Sequence, residues 1–211
     1  LFKQATTFGS LIQVPEELAV KLPAVKRLSE TTRQDLFVSD ALKRLGPLVK
    51  QANVLAAQYD TVVVNPPYLS TKGMTTQMKS FLKSNFTLGE KDTFAAFMLR
   101  AMDWATLNAS TISLVTPFSW MYLTSFEALR NHLFDHATSN YLVELETNAF
   151  EPAMVTVCSF VFSPRKIADY VGCYVRLSNF KGAMNQAPRT LEAIQNRHCG
   201  WFFENSQENF K

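Results

Sequence analysis

Apolar residues recur at spacings of three and four through Ala41, Leu45, Leu48, Ala52, Leu55 and Tyr59, the period of an amphipathic helix. Gly46-Pro47 interrupts that pattern and predicts two helices, the second starting at Pro47. After Asp60 the period changes. Thr61-Val62-Val63-Val64 is a compact β-branched run, which predicts a strand buried on both faces. Asn65-Pro66-Pro67-Tyr68 stops it, and a polar loop with a short helix near residues 76–84 follows. Phe94, Phe97, Met98, Ala101 and Ala105 mark a helix, and residues 111–115 a second buried strand. Tyr122, Phe126, Leu129 and Leu133 mark another helix; residues 140–145, 155–162 and 172–177 read as strands, and 190–197 as helical. Upstream, Phe8-Gly9-Ser10-Leu11-Ile12-Gln13-Val14-Pro15 reads as a short turn and strand, while the rest of residues 1–34 gives no clear pattern.

Alternation of strand and helix predicts an α/β fold with a mostly parallel sheet. The final strands follow one another without a helix, so one of them is expected to be antiparallel. Composition narrows the class. The chain has 211 residues, 47% of them hydrophobic, and a formal net charge of +3, which excludes a disordered chain. No segment approaches the roughly 20 apolar residues of a membrane span, and no signal-peptide pattern opens the chain. The 3 cysteines, Cys158, Cys173 and Cys199, form neither a metal spacing nor an even disulfide framework, so a cytoplasmic location is the expectation. Acidic side chains outnumber basic ones over residues 51–163, and basic ones dominate residues 164–200. That basic excess is either an ordinary solvated face or one turned to nucleic acid. Three segments result: an N-terminal helical or irregular stretch, 1–46; a central α/β block, 47–163; and a C-terminal extension, 164–211.

The strand end Asn65-Pro66-Pro67-Tyr68 carries the chemistry. Ligand sites in open α/β sheets lie at the carboxyl ends of strands. Pro66 and Pro67 fix φ and lack an N–H, and Pro66 keeps Asn65 out of the helical region. The Pro66 carbonyl is therefore held stiffly beside the amide oxygen of Asn65. Two rigid acceptors suit a planar amino group with two donors, and Tyr68 offers an aromatic face on which a base can stack. An exocyclic amine is a poor nucleophile because its lone pair is delocalised. Acceptors on its hydrogens raise the electron density on nitrogen, which is electrostatic preorganisation rather than acid–base catalysis. A Pro-Pro turn that merely ends a buried strand is the plainer alternative.

These residues resemble motif IV of class I amino-methyltransferases, above all DNA adenine-N6 methyltransferases. The resemblance continues through Asp92-Thr93-Phe94-Ala95-Ala96-Phe97, Leu114-Val115-Thr116-Pro117-Phe118-Ser119-Trp120 and Asn148-Ala149-Phe150-Glu151-Pro152. Phe8-Gly9-Ser10-Leu11-Ile12, Tyr174-Val175-Arg176-Leu177 and the tail Ser206-Gln207-Glu208-Asn209-Phe210-Lys211 are similar to the large adenine-specific methyltransferases of phage-defence (BREX, PglX-type) and type II restriction–modification systems. The resemblance implies the carboxyl-terminal half of a Rossmann-like sheet, with helices packed on it. It implies methyl transfer from S-adenosylmethionine to the N6 amine of an adenine flipped out of double-stranded DNA. Asn65, Pro66, Pro67 and Tyr68 would form the catalytic loop. Tyr68 and Phe150 would enclose the base, Lys72 would touch phosphate, and Phe97 and Asp92 would face the cofactor. Core packing for Phe150 and Phe97, a helix N-cap for Asp92, and a solvated loop for Lys72, Lys79 and Lys83 are the competing readings. His132 and His136, four apart, read as a surface helix rather than a metal pair, and no metal is expected.

The chain departs from that family in two respects: it has neither the Gly-rich loop after the first strand nor the acidic residue after the second through which the family grips its cofactor. Its 7 glycines are isolated, with no G-x-G, although the family grips S-adenosylmethionine through a Gly-rich loop. With Leu at position 1, the chain reads as a piece of a longer protein: the substrate half, followed in the parent by a target-recognition region. The piece alone is expected to bind the cofactor weakly or not at all. Other restriction or defence subunits are expected partners, and a membrane is not. Alternatives from other classes are a non-catalytic DNA-binding or scaffold subunit and an RNA or protein-glutamine N-methyltransferase.

Overall fold

The computed structural model describes residues 1–30, 36–107, 110–147, 149 and 155–211, which fall into two compact units, Leu1–Gln58 and Tyr59–Lys211. The first unit is helical: α1 (Ala5–Phe8), a 3-10 turn (Gly9–Leu11), α2 (Glu16–Ala19), α3 (Leu22–Glu30) and α4 (Leu36–Ala56). The expected turn and strand over Phe8–Pro15 is replaced by α1 and the 3-10 turn, because Phe8 and Leu11 serve helical rather than alternating positions. The expected pair of helices meeting at Pro47 is one helix, with Pro47 inside α4. A proline inside a helix costs about 3 kcal/mol and one backbone hydrogen bond. Leu42, Val49 and Ala52, all buried, lie on both sides of that interruption, and their common burial offsets it.

The second unit is built on a six-stranded sheet of order β1-β2-β4-β3-β5-β6. The strands are β1 (Thr61–Val64), β2 (Thr111–Pro117), β3 (Thr138–Glu144), β4 (Val157–Ser163), β5 (Val171–Arg176) and β6 (Phe202–Ser206). β1 pairs parallel with β2, and β3 with β5, while β4 runs antiparallel between β2 and β3. β6 is antiparallel to β5. Four strands thus share one direction; the reversal expected among the later strands falls on β4, inserted in the middle of the sheet, and not on β5, which runs parallel to β3, while β6 adds a second reversal. Intervening helices are α5 (Thr76–Asn85), α6 (Thr93–Trp104), α7 (Glu127–His136) and α8 (Ala183–Gln195).

Alternation along the strands divides the sheet into two faces. Val62, Ile112, Leu114, Phe160, Phe162 and Leu142 share one face and pack with Phe94, Met98 and Ala101 of α6 and Leu129, Leu133 and Phe134 of α7. On the other face, Val175 packs with Ala193 of α8, alongside Leu177, Val143 and Trp201. The expectation that β1 is buried on both faces is corrected here. Val62 is 6% exposed but Val63 is 75% exposed, because in this chain only one face of β1 is covered. β-branched residues favour extended backbone whether or not both sides are packed.

Two glycines are needed for close approach. A Cβ on Gly89 would lie 2.6 Å from the Ala96 nitrogen, and one on Gly172 would lie 2.5 Å from the Ser139 carbonyl oxygen. The first seats the 3-10 turn Thr87–Gly89 on the start of α6, and the second seats β5 against β3.

Candidate active site

β1 ends at Val64, and the chain enters Asn65-Pro66-Pro67-Tyr68 at the carboxyl end of the parallel strands. The outer part of this loop is stitched to the start of α6. Thr93 Oγ1 donates to the Pro67 carbonyl at 2.6 Å and accepts from the Leu69 amide at 3.0 Å. Asp92 Oδ1 accepts from the same Leu69 amide at 3.0 Å and from the Phe94 amide at 3.3 Å. The Thr93 amide in turn donates to the Leu69 carbonyl at 3.1 Å. Asp92 is thus the N-cap of α6 and a clamp on the loop at once, since one carboxylate oxygen serves both.

Tyr68 is anchored from a second direction. Its hydroxyl donates to the Val115 carbonyl of β2 at 3.1 Å, and its ring stands edge-on to Phe94, centroids 6.3 Å apart at 85°. Phe94 in turn leans on Phe126 at 5.3 Å. Tyr68 remains 37% exposed, so one side of its ring is available to a stacking partner. Burial pushes its phenol above the usual range, so the group is neutral near pH 7 and keeps the proton it donates.

The inner part of the loop is different. Asn65 is exposed, Pro66 is buried, and neither the Asn65 amide nor the Pro66 carbonyl has a hydrogen-bond partner among the described residues. Two acceptors stand unused on a mount whose next three residues, Pro67, Tyr68 and Leu69, are held by five hydrogen bonds and an aromatic edge. Rigid acceptors with no partner of their own can align an amino group without reorganising when it arrives.

The other sequence candidates fall as follows. Phe97 is half-buried on α6 and is not among the side chains packed on the main core. Lys72 is exposed beyond the loop and forms no ion pair among the described residues, and Lys79 and Lys83 are exposed as well. Phe150 lies outside the described residues. His136 Nδ1 lies 2.8 Å from the His132 carbonyl, with the two rings stacked at 4.4 Å on α7. Among the described residues no cluster of three potential metal ligands occurs. Sequence reasoning missed Thr93, whose hydroxyl ties the loop to α6. Its signal was present in Asp92-Thr93-Phe94, a capping carboxylate followed directly by a hydroxyl at a helix start.

The described residues do not fit S-adenosylmethionine as a self-sufficient site. Asp92 spends a carboxylate oxygen on two backbone amides, and burial pushes its carboxyl up despite those bonds. Gly89 and Gly172 serve packing, and none of the glycines forms a cradle.

Comparison with known proteins gives the fold and the family. The fold is that of restriction–modification methyltransferase subunits. The methyltransferase subunit of a type I restriction–modification system from Streptococcus thermophilus superimposes with a TM-score of 0.55 at 15% identity, over 72% of this chain and 35% of that one. The chain belongs to the Eco57I restriction-modification methylase family, whose sequence profile matches residues 16–150. It is 41% identical over 152 residues to the adenine-specific methyltransferase BrxX of Escherichia coli O9:H4, covering 71% of this chain and 12% of that protein. It is 29% identical to the adenine-specific methyltransferase PglX of Lacticaseibacillus casei, over 78% of this chain and 14% of that protein. The chain therefore spans about an eighth of the length of these relatives. No described helix is long and apolar enough to cross a membrane.

Proposed function

We propose that this chain is the substrate-side part of a DNA adenine-N6 methyltransferase acting in a restriction–modification or phage-defence system. The Asn65 side-chain oxygen and the Pro66 carbonyl accept the two hydrogens of the adenine amine. Tyr68 stacks on the extruded base, and Phe150 closes it from the other side. Pro67 contributes rigidity, with its carbonyl locked by Thr93. Lys72 meets a backbone phosphate, and Phe97 lines the wall towards the cofactor. Asp92 acts through the loop it holds and not by gripping the cofactor.

S-adenosylmethionine, bound by parts of the parent protein beyond these residues, supplies the methyl group. This chain's residues orient the amine, keep its lone pair directed outward, and exclude water by stacking. Double-stranded DNA is the substrate, and other restriction or defence subunits are the partners. A cytoplasmic location follows from that role.

The observation that carries the reading is the pair of unpartnered acceptors beside a clamped, half-exposed tyrosine. The test is adenine methylation of plasmid DNA by the full-length protein, wild type against Asn65→Ala. Loss of N6-methyladenine in the variant is expected. Equal methylation by both would remove the role given to Asn65, and methylation of RNA or protein alone would replace DNA as substrate.

A further inference from the structure

A cavity of about 260 Å³ opens at the same end of the sheet as the Asn65 loop, by the carboxyl ends of β3 and β5. Its apolar walls are Phe118, Met121, Leu142, Tyr174, Phe203 and Phe210. Its polar rim is Glu144, Arg176 and Asn205. Leu142 faces Tyr174 and Glu144 faces Arg176 across the parallel β3–β5 pair, and Tyr174 faces Phe203 across β5–β6. All five project to one side of the sheet, where alternate residues line a single face.

The cavity is separate from the Asn65 loop. β1 and β3 are three strand positions apart, a lateral distance of about 14 Å at the usual spacing. It is also smaller than the roughly 300 Å³ at which drug-sized pockets begin, so it admits a single ring system. Its walls suit a flat ring: Tyr174 lies against Phe210 with centroids 4.8 Å apart, and the Arg176 guanidinium hangs 6.0 Å over Phe203.

The rim specifies the edge of that ring. Glu144 and Arg176 form a long ion pair of 3.4 Å, with the Glu144 side chain 16% exposed and that of Arg176 64% exposed. Ser178 also reaches the Glu144 carboxylate, but two oxygens can accept more than these two contacts, and the exposed Arg176 guanidinium, held at 3.4 Å, keeps donors for a guest. The carboxylate accepts only, and the guanidinium donates only. A guest lying across them must present a donor beside an acceptor.

We infer that this cavity is a second nucleobase subsite, which takes an unpaired base with its amino group on Glu144 and its adjacent ring nitrogen on Arg176. A paired base has that edge engaged and cannot enter a concave pocket, so the guest is extruded or single-stranded, as at other sites where bases stack on aromatic side chains. The inference builds on the proposed function in taking DNA as the source of the base. A free nucleoside presents the same chemistry.

The test uses the full-length protein, isotopically labelled at glutamate, arginine and phenylalanine, titrated with adenosine and with purine riboside, which has the same ring system without the amino group. Adenosine is expected to perturb the signals of Glu144, Arg176 and Phe203, binding about fivefold more tightly than purine riboside, the worth of one hydrogen bond. Glu144→Ala should erase that difference, and Phe203→Ala, at an exposed position, should weaken both ligands. Competition by a single-stranded oligodeoxynucleotide would assign the base to DNA; adenosine binding without such competition would assign it to a free nucleoside. No perturbation of these residues, or equal affinity for both ligands in the wild type, overturns the subsite. Adenosine binding here, with no adenine methylation by the parent protein, would sink the proposed function and leave the subsite standing.

Discussion

Two irregular segments of the second unit are pinned by polar side chains, and they differ in what is left over. The C-terminal turn Gln207–Phe210 is closed. Gln207, 4% exposed, accepts from the Ser139 amide at 2.7 Å and donates to the Phe134 and Ala137 carbonyls at 2.7 and 2.9 Å. Arg130 reaches the same turn, donating to the Phe210 carbonyl at 2.8 Å while also holding Trp120. Every polar atom of the Gln207 side chain is used inside the protein. The Asn65–Tyr68 loop is half closed. Pro67 and Tyr68 are tied down, while the acceptors of Asn65 and Pro66 have no partner among the described residues. Buried polar groups are normally satisfied, so the first pattern serves stability. The second, a rigid mount with unused acceptors at a strand end, is the pattern of a binding site.

The comparison can be broken by moving each kind of residue. The largest effect is expected for Asn65→Ala in the full-length protein. Single-turnover methylation should fall about 10²- to 10³-fold, as for other lost preorganised hydrogen-bonding groups, with no change in melting temperature. Gln207→Ala should do the reverse. Three buried backbone groups lose their partner, and the unfolding free energy should drop by about 3 kcal/mol in denaturant titration. Any methylation that survives at low temperature should keep its wild-type rate.

Thr93→Val tests the joint between the two patterns. It removes the bonds to Pro67 and Leu69, so it should cost about 1 to 2 kcal/mol of stability. It should also lower kcat about tenfold with little change in the KM for DNA, because the mount loosens while the acceptors remain. A change in KM alone would make Thr93 a binding residue instead of a positioning one. The smallest effect belongs to Tyr68→Phe. The stacking face is kept, only the bond to Val115 is lost, and the rate should fall by no more than about threefold.

Much of this was legible in the sequence, for identifiable reasons. The period change after Asp60 and the Pro-Pro stop located β1 and the loop, because strand and helix periods differ and proline cannot be absorbed. α6 and its cap at Asp92 were readable from the apolar spacing and the capping residue. What escaped depends on tertiary context. Pro47 sits within α4 because burial on both sides outweighs a local preference. β6 was not foreseen, since Phe202-Phe203-Glu204-Asn205-Ser206 becomes a strand only by pairing with β5. The Glu144–Arg176 pair also escaped. The two residues are 32 positions apart in sequence and meet only through the parallel β3–β5 register, as does Thr93 with Pro67 through the fold of the loop.

The most direct measurement is a structure of the full-length protein bound to its DNA target and an unreactive analogue of the methyl donor. The account predicts the adenine N6 within about 3 Å of both the Asn65 side-chain oxygen and the Pro66 carbonyl oxygen, with the base lying against Tyr68. An extruded base whose amine points away from those two oxygens, or either oxygen bonded to another part of the protein in the complex, would contradict it.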